Sequence, residues 1–562
     1  MWALDLGTTN TLLARWDQQQ ERPSVLELPA MARLQQRDRP LDAPRTIPTA
    51  VHLIEFPSTL ARLGQWGPLA RNFSLGKLAQ IGRPAVELNQ VRPRQNYVST
   101  FKQALSRSPL VTIARAGGRS YCARDVGRIF LRELLAEAET TTGERIRDLV
   151  VTVPVEAFET YRAELASIGQ SLGIRRMRFI DEPVAAALGY GLGLSRQRCV
   201  LVVDFGGGTF HLALVRLSNH QIQAGKAVVL AKAGRSLGGS TVDRWILEEL
   251  CQRLDYAPDE TDVVESSLWY RMMLTEACRL KEAVYFQDLA TFSLLPTEDL
   301  RRFEERVRAR ASMLQFGRDD LVRLLTERGL YRSMEECLAD VLCQCESQGI
   351  SESDIEEVLM VGGSTLLPDV YALFERRFGR DRVRAWQPFE AVAYGAAVFA
   401  AGRTEPADFI AHDYALLTYD LQTKKPTHSI IVPRGTRFPT TPEFWRRQLV
   451  PTCPLGEPES VFKLIICELG GNEEGQRFAW DDHGRLHKLG DQTAPDKSPL
   501  VIKLNEADPV LGTLAPPHSP SDQSPRLEVS FGVNAERWLC AKVQDLRSGK
   551  LLLRDEPVVR LL

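Results

Sequence analysis

The sequence predicts an α/β region followed by a mainly antiparallel β domain, and three observations lead to this fold class. Apolar runs typical of buried strands alternate with helical periods over residues 1–402. A strand, a glycine-rich loop and another strand occur together twice in this region. Beyond residue 408, helical periods nearly vanish and short alternating runs separated by turn residues replace them. We therefore expect the α/β region at 1–402, an interdomain linker at 403–420 and the β domain at 421–562.

The two glycine-rich loops lie between strands of the same kind. Trp2–Leu6 is a short apolar run, and after DLGTTN the extended pattern resumes at Thr11–Trp16. Cys199–Asp204 is a continuous apolar run, and after FGGGTF the residues of His211–Leu217 alternate. Two copies of one arrangement predict duplicated α/β halves that face each other across a cleft.

Further helices and buried strands are predicted between and after the two loops. The helical periods cover 125–142, 162–173, 243–254 and 265–286, and the buried strands are Leu149–Pro154 and Val358–Gly363. Residues 301–310 are dense in arginine. They form either a basic patch or, as we favour, the solvated face of a helix.

Short alternating runs define the β domain. They are HSIIVP, VFKLIICELG, LVIKLN, RLEVSFGV, RWLCAKVQD and KLLLRD. The stretch 514–525 is rich in proline and serine, and we expect an unpacked surface loop there. No helical segment follows the last strand before Leu562.

The composition excludes several classes of protein. Hydrophobic residues make up 44% and charged residues 25% of the 562 residues, which excludes a disordered or collagen-like chain. A net charge of -2 gives no reason to expect nucleic acid or an anionic membrane as partner. No apolar run approaches the ~18 residues of a membrane helix, and MWALDLGTTN does not resemble a signal peptide. We therefore expect a cytoplasmic protein.

The ten cysteines show no CxxC pair and no regular histidine spacing. Reduced, mostly buried thiols in the cytosol are the expected state. Cys337, Cys343 and Cys345 form the closest cluster, and zinc binding is the alternative for them.

The glycine loops and their aspartates predict a site for a polyphosphate. Backbone N–H groups in such a loop can approach a phosphate closely because no Cβ intervenes. Each loop follows an aspartate, and a carboxylate beside phosphates needs a cation between them. Asp5 and Asp204 are therefore candidate Mg²⁺ ligands, direct or through water. Thr8, Thr9 and Thr209 offer hydroxyls to the terminal phosphates.

A third glycine element, GGSTLLP, covers Gly362 to Pro368 and follows a buried strand. Paired glycines suit the flat approach of a purine or ribose. An ordinary turn from strand to helix is the alternative, and the residues alone leave both open.

Six motifs occur in the order and spacing of a known family. They are ALDLGTTNT (3–11), VVTVPVEAF (150–158), DEPVAAALGYGLG (181–193), VVDFGGGTF (202–210), VGGSTLLP (361–368) and EAVAYGAAVFAA (390–401). On these motifs the chain resembles the seventy-kilodalton heat-shock chaperones. The resemblance implies an actin-like, duplicated ribonuclease H-like domain that binds nucleotide. LGTLAPP (511–517), RLEVSFGV (526–533) and QDLRSGK (544–550) resemble the family's peptide-binding β domain more faintly.

The resemblance also implies a role for individual residues. Gly7, Thr8, Thr9 and Asn10 match the first phosphate loop, and Gly206, Gly207, Gly208 and Thr209 the second. Asp5 and Asp204 match residues that hold Mg²⁺ through its water shell. Glu182 matches a glutamate near the attacking water, and Lys102 a catalytic lysine on the γ-phosphate, with a surface lysine as the alternative. Gly362, Gly363 and Ser364 match adenosine contacts, Lys281 a residue near ribose or adenine, and Pro154 and Arg162 an interdomain switch.

The cofactors implied are ATP or ADP with Mg²⁺, and K⁺ is a further candidate. The implied function is a slow ATPase whose nucleotide state controls the binding of extended apolar polypeptide segments. A J-domain cochaperone and a nucleotide-exchange factor are implied partners. A nucleotide-dependent regulator or scaffold, whose β domain docks one specific protein, is the alternative. A small-molecule kinase is disfavoured because no motif supplies its base and acceptor pocket.

Several positions depart from the family pattern. His211 replaces an aspartate after the second loop, so we expect slow hydrolysis with altered cation dependence. Cys278, Glu282 and Tyr285 differ on the adenine helix, and Leu366 replaces an arginine, so we expect weaker nucleotide binding. The linker contains DFIAHDYALLTYD (408–420) in place of an aspartate and a run of leucines. We expect no helical lid over the peptide site, and therefore fast release of peptide.

Overall fold

A computed structural model describes most of the chain. The described residues are 1–34, 45–55, 76–91, 96–99, 101–155, 159–191, 197–217, 228–254, 263–292, 314–346, 348–385, 389–402, 410, 412–419, 425–453, 457–470, 478–480, 486–488, 500–506, 509–534 and 537–561. The arginine-rich segment 301–310 and the linker residues 403–409 lie outside them.

The chain divides into two compact units. The first comprises Met1–Val155, Glu164–Pro406 and Arg477–Leu489. The second comprises Glu156–Ala163, Ala407–Gln476 and Gly490–Leu562. Among the helices that the structure describes, none has the length and apolar composition needed to cross a membrane.

The strands of the α/β region are mostly short and buried on at least one face. They are β1 (Trp2–Leu6), β2 (Asn10–Asp17), β3 (Arg22–Val25), β4 (Ile47–Pro48), β5 (Val51–Leu53), β6 (Ala79–Ile81), β7 (Tyr97–Val98), β8 (Thr112–Ala116), β9 (Arg119–Cys122), β10 (Asp148–Val153), β11 (Arg176–Asp181), β12 (Arg198–Phe205), β13 (Phe210–Leu217), β14 (Val228–Arg235), β15 (Leu289–Thr291), β16 (Gln315–Gly317), β17 (Glu357–Val361) and β18 (Val383–Ala385).

Helices alternate with these strands. They are α1 (Arg83–Val91), α2 (Phe101–Arg107), α3 (Ala123–Thr142), α4 (Glu159–Ser171), α5 (Glu182–Gly191), α6 (Gly239–Arg253), α7 (Val263–Ala283), α8 (Arg318–Glu327), α9 (Leu330–Glu346), α10 (Val370–Phe378) and α11 (Ala391–Ala400). The helices predicted at 125–142, 162–173, 243–254 and 265–286 are confirmed as α3, α4, α6 and α7, with ends shifted by a few residues. In the predicted cysteine cluster, Cys337 and Cys345 are buried on α9, whereas Cys343 is exposed.

The two larger sheets of the first unit have the same topology. One has the order β11-β10-β1-β2-β3, and the other has the order β18-β17-β12-β13-β14. In both, the central strand pairs in parallel on one side and antiparallel on the other. β1 and β12 are the equivalent central strands, which places Asp5 and Asp204 at corresponding positions.

Helices α5 and α11 pack against each other at very short range. Their sequences, EPVAAALGYG and AVAYGAAVFA, consist largely of small residues. A Cβ atom built on Gly395 would lie 1.5 Å from the carbonyl oxygen of Ala185. The glycine is therefore required by the close approach of two backbones rather than by an unusual backbone angle.

A buried ion pair joins the two sheets of the first unit. Lys232 on β14 donates from Nζ to Oδ2 of Asp181, at the end of β11, over 2.6 Å. Both side chains are buried. The amide of Gln344 hydrogen-bonds the backbone N–H and the carbonyl of Lys232, which fixes this part of β14.

Removing one member of this pair is expected to destabilise the first unit. Lys232→Met leaves the Asp181 carboxylate buried without its cation, which typically costs about 3 kcal/mol of the free energy of unfolding. Denaturant unfolding followed by circular dichroism measures the loss. The double variant Asp181→Leu/Lys232→Met is expected to recover most of it. A double variant no more stable than the single one would contradict this account.

The second unit is built from antiparallel strands around its own hydrophobic core. They are β19 (Asp413–Tyr419), β20 (Pro426–Val432), β21 (Trp445–Leu449), β22 (Glu459–Leu464), β23 (Ile466–Gly470), β26 (Leu500–Lys503), β27 (Val510–His518), β28 (Leu527–Val533), β29 (Trp538–Asp545) and β30 (Leu551–Arg560). Two sheets have the orders β20-β19-β23-β26 and β21-β28-β29-β30, and β22 pairs with β27. A separate hairpin, β24 (Phe478–Trp480) with β25 (Leu486–Lys488), is counted with the first unit.

Three predictions for this region need correction. The linker ends earlier than residue 420, because β19 has three consecutive buried residues, Tyr414, Ala415 and Leu416, and pairs with β20 and β23. VFKLIICELG is not one strand. It breaks at Ile465 into β22 and β23, which belong to different sheets. The predicted surface loop 514–525 begins as the end of β27, with Leu514 and His518 buried.

Candidate functional site

The two predicted phosphate loops lie against each other. Gly7, Thr8 and Thr9 connect β1 to β2, and Gly206–Thr209 connect β12 to β13. A Cβ on Gly207 would lie 2.1 Å from Oγ1 of Thr9, and one on Gly208 would lie 2.3 Å from Oγ1 of Thr8. Glycine is therefore needed where the loops meet.

Other predicted loop residues have local structural partners. Asn10 accepts a hydrogen bond from Nε of Arg33 through Oδ1 over 2.9 Å. The carbonyl of Thr209 accepts a hydrogen bond from the N–H of Gly206, which closes the second loop. The phosphate contacts expected of Asn10 and Thr209 are not tested by these hydrogen bonds and stay predictions.

Asp5 and Asp204 face a common acidic centre. Burial raises the pKa of Asp5 to about 6, and the nearby Glu182 adds to this, whereas a hydrogen bond from Thr152 and the charge of Lys102 oppose it. Burial, Glu182 and Asp5 together raise the pKa of Asp204 well above its usual range. Carboxyl groups this close resist ionising together. Their oxygens are the ligands that a hard divalent cation such as Mg²⁺ prefers, so the donor set fits the implied ion.

Lys102 is a buried partner of Glu182 rather than a surface lysine. Its Nζ, carried by α2, donates to Oε1 of Glu182 over 2.8 Å, and both side chains are nearly inaccessible. Burial opposes ionisation of Glu182, but Lys102 and His211 outweigh it and lower the pKa of Glu182 to about 2. The structure thus holds a lysine and an ionised glutamate beside the two aspartates, which is a suitable set for stabilising charge on a phosphoryl group.

The third glycine element approaches the second loop. Gly362 has φ +88°, and a Cβ there would lie 2.3 Å from the carbonyl oxygen of Phe205. Ser364 donates from Oγ to the carbonyl of Gly206 over 2.8 Å. Gly363 begins a short 3₁₀ helix and lies close to the ring of Phe389. These residues form a turn after β17 and also lie against the second glycine loop, so a nucleoside contact there stays a prediction.

Lys281 lies next to the same loops. Its Nζ is 2.7 Å from Oδ1 of Asp243 and donates to the carbonyl of Gly239 over 3.2 Å. Burial lowers the pKa of Lys281, but the negative charge of Asp243 and of the atypical residues Cys278, Tyr285 and Glu282 outweighs it and raises this pKa well above its usual value. The atypical residues therefore lie close to Lys281. Burial raises the pKa of the Cys278 thiol, which makes it a poor nucleophile.

The structure describes both predicted switch residues. Pro154 follows β10 and is partly buried, and Arg162 is buried on α4. Their role between domains stays a prediction.

Several residues that lie at the site were not identified from the sequence alone. Gly238, the N-cap of α6, and the first two residues of that helix, Gly239 and Ser240, lie beside the two glycine loops. A Cβ on Gly238 would lie 2.5 Å from the carbonyl carbon of Gly208, and Ser240 donates from Oγ to the carbonyl of Gly207 over 2.7 Å. The glycine pair in the sequence SLGGS could have indicated that this segment approaches another backbone closely. Asp243 and Thr152 carry no comparable signal, since Asp243 is one of several charged residues of α6 and Thr152 is a single hydroxyl in a mostly apolar strand.

Comparison with known proteins shows the family to which the chain belongs. The model of the family described as Hsp70 protein matches residues 80–448, which is more than half of the chain. The chain belongs to the Hsp70 family. It is 28% identical over 443 residues to the chaperone protein DnaK of Mycoplasmopsis agalactiae. The aligned part covers 78% of this chain and 64% of that relative, so the chain spans less than two thirds of the relative's length.

Family membership confirms the resemblance stated from the six motifs. Hsp70 proteins combine an actin-like nucleotide-binding domain with a β-sheet domain, and this Hsp70 chain shows mixed α/β sheets in its first unit and antiparallel sheets in its second. The glycine loops, Lys102 and Glu182 lie on the first unit.

Proposed function

We propose that this Hsp70-family protein binds ATP with Mg²⁺ at the acidic centre and hydrolyses it slowly, and that nucleotide state controls binding of extended apolar polypeptide segments. The convergence of both glycine loops, Asp5, Asp204, Glu182 and Lys102 at one place is the observation that supports it. The matching strand order of the two sheets supports a duplicated, ribonuclease H-like architecture with the nucleotide between its halves.

Each residue has a part in this proposal. Asp5 and Asp204 hold Mg²⁺ through its water shell, and K⁺ is a further candidate nearby. The bound ion supplies positive charge between the carboxylates and the phosphates. Glu182 orients the attacking water, Lys102 stabilises charge on the γ-phosphate, and the hydroxyls of Thr8, Thr9 and Thr209 bind phosphate oxygens. Gly362, Gly363, Ser364 and Lys281 contact the nucleoside.

The second unit and the cysteines bear on the partners and the location that we propose. The antiparallel second unit is the candidate peptide-binding domain, with strand edges that can pair with an extended segment. A J-domain cochaperone and a nucleotide-exchange factor are the proposed partners, without nucleic acid or a membrane. A cytoplasmic location suits ten cysteines that are all free thiols.

Peptide affinity of the intact chain tests this function. Fluorescence anisotropy with several unrelated apolar peptides is measured in ADP and in ATP, and phosphate release is measured in the same samples. We expect weaker peptide binding in ATP and release of phosphate without a phosphorylated acceptor. Binding of one protein only, unaffected by unfolded peptides, would instead favour a nucleotide-dependent regulator.

The affinity for the divalent cation is expected to depend on pH through Asp5. With its pKa at about 6, Asp5 carries a proton below that pH that a cation must displace, so affinity rises as pH passes through 6, and the raised pKa of Asp204 adds to the rise. Titration of Asp5 alone predicts about tenfold weaker binding at pH 5 than at pH 7. Calorimetric titration with Mg²⁺ in the presence of nucleotide measures the cation affinity at each pH. The variant Asp5→Asn is the control for titration of the nucleotide itself, and its affinity should depend less on pH. Identical profiles for the two proteins would contradict the assignment.

A further inference from the structure

The side chain of His211 is buried beside carboxylates without a hydrogen-bonding partner of its own. It is 1% exposed, and neither Nδ1 nor Nε2 makes a hydrogen bond with any part of the chain that the structure describes. Its Nδ1 lies 3.4 Å from Oε2 of Glu182, near enough to influence the pKa of that carboxyl but without the geometry of a hydrogen bond. Buried polar groups are almost always satisfied in native proteins, so this imidazole is suited to a partner that is not part of the chain.

The strand register brings His211 to the acidic centre. Asp204 on β12 is directly opposite His211 on β13. Residues opposite each other in an antiparallel pair point to the same face, with Cβ atoms about 5 Å apart. Glu182 reaches the same point from the first residue of α5. One ligand atom each from Glu182, Asp204 and His211 lies within 4.8 Å of the others.

These separations are close to those of ligands on one ion. A metal with ligands at about 2.1 Å holds them at most about 4.2 Å apart, so small side-chain rotations would complete the site. Lys102 occupies Oε1 of Glu182, which leaves Oε2 on the side of His211. The site therefore offers two carboxylate oxygens and one imidazole nitrogen.

We propose that Glu182, Asp204 and His211 bind a first-row transition-metal dication, with a ring nitrogen of His211 as a direct ligand. Mg²⁺ takes oxygen ligands almost entirely, whereas Mn²⁺, Co²⁺ and Zn²⁺ accept carboxylate and imidazole together. The inference rests on the proposed function, because Asp204 serves both the cation of the nucleotide and this ion. The nitrogen ligand would make this site prefer these metals to Mg²⁺.

Electron paramagnetic resonance of the intact protein with Mn²⁺ tests the ligand directly. The protein is first treated with a chelator, and Mn²⁺ binding is followed by loss of the free-ion signal in the absence of nucleotide. Spin-echo modulation then reports any nitrogen bonded to the ion. We expect ¹⁴N coupling in the wild-type protein and its loss in both His211→Asp and His211→Asn. We also expect His211→Asp to lower the ratio of Mn²⁺ to Mg²⁺ affinity at least about tenfold.

A matched control and a separate binding measurement complete the test. His518→Asn removes another buried histidine, in the second unit, and should leave the ¹⁴N coupling unchanged. Bound Mn²⁺ with oxygen ligands only, coupling that persists in His211→Asn, or no Mn²⁺ binding by the wild-type protein would each overturn the inference. ATP affinity in Mg²⁺ is measured on the same samples. Absence of ATP binding would contradict the proposed function, whereas ATP binding without ¹⁴N coupling would contradict only the nitrogen ligand.

Discussion

Replacing Lys102 by methionine is expected to slow single-turnover ATP hydrolysis by about 100- to 1000-fold, the usual cost of losing one preorganised electrostatic contact. The ammonium group is held 2.8 Å from Glu182 in a buried setting, where its charge is weakly screened. Methionine keeps most of the apolar volume and removes the charge. Rapid-quench measurement of ATP cleavage, at saturating nucleotide, separates the chemical step from binding.

Stability is the main alternative explanation for such a loss, and two variants address it. Lys102→Met leaves Glu182 buried without its cation, which would destabilise the fold, whereas Lys102→Met/Glu182→Gln removes both charges. We expect the double variant to recover stability. Because it also lacks Glu182, which we assign to the attacking water, it does not test hydrolysis. Cleavage is therefore compared between the wild-type protein and Lys102→Met at a temperature at which circular dichroism shows both to be folded. Arg526→Met removes a buried cation paired with Asp545 in the second unit and should leave the cleavage rate unchanged. A wild-type cleavage rate in folded Lys102→Met would show that Lys102 has only a structural role.

Gly395→Ala is expected to prevent folding of the first unit or to lower its free energy of unfolding by several kcal/mol. The added Cβ would lie 1.5 Å from the carbonyl oxygen of Ala185, and that oxygen belongs to a helix backbone that cannot rotate away. Overpacking of a core typically costs about 1–3 kcal/mol, and a clash with backbone atoms costs more. Soluble yield and denaturant unfolding measure the effect.

Gly127→Ala provides the matched control. Gly127 is also a buried glycine inside a helix, but its Cβ would meet the nearest atom, Cδ2 of Leu105, at 3.5 Å, an ordinary contact. Alanine favours a helix over glycine by up to about 1 kcal/mol, so this variant should be as stable as the wild-type protein or more so. Equal effects at both positions would show that the packing of α5 and α11 is less close than the structure has it.

The sequence predicted those features that depend on neighbours along the chain. The apolar runs before Asp5 and Asp204, the glycine loops and the periods of α3 and α6 are all local patterns, and the structure has each of them. The break at Ile465 was missed because both fragments continue one apolar run, and only their pairing with different sheets separates them.

The arrangement of the site required long-range information that patterns do not contain. Lys102 was predicted as a phosphate contact, but its partner Glu182 lies 80 residues away on another helix. The position of His211 beside Glu182 depends on a strand register and on where α5 begins. The helix start at Gly238 could have been predicted from its glycine pair, whereas the buried Asp243 could not.

The ion pair between β11 and β14 has a mechanical consequence. Asp181 is anchored to the opposite sheet by Lys232, and the next residue along the chain is Glu182. A force that pulls the sheets apart would reach Glu182 across a single peptide unit, while Asp204 would move with the opposite sheet. Torsion of the first unit is therefore expected to change the distance between these two carboxylates.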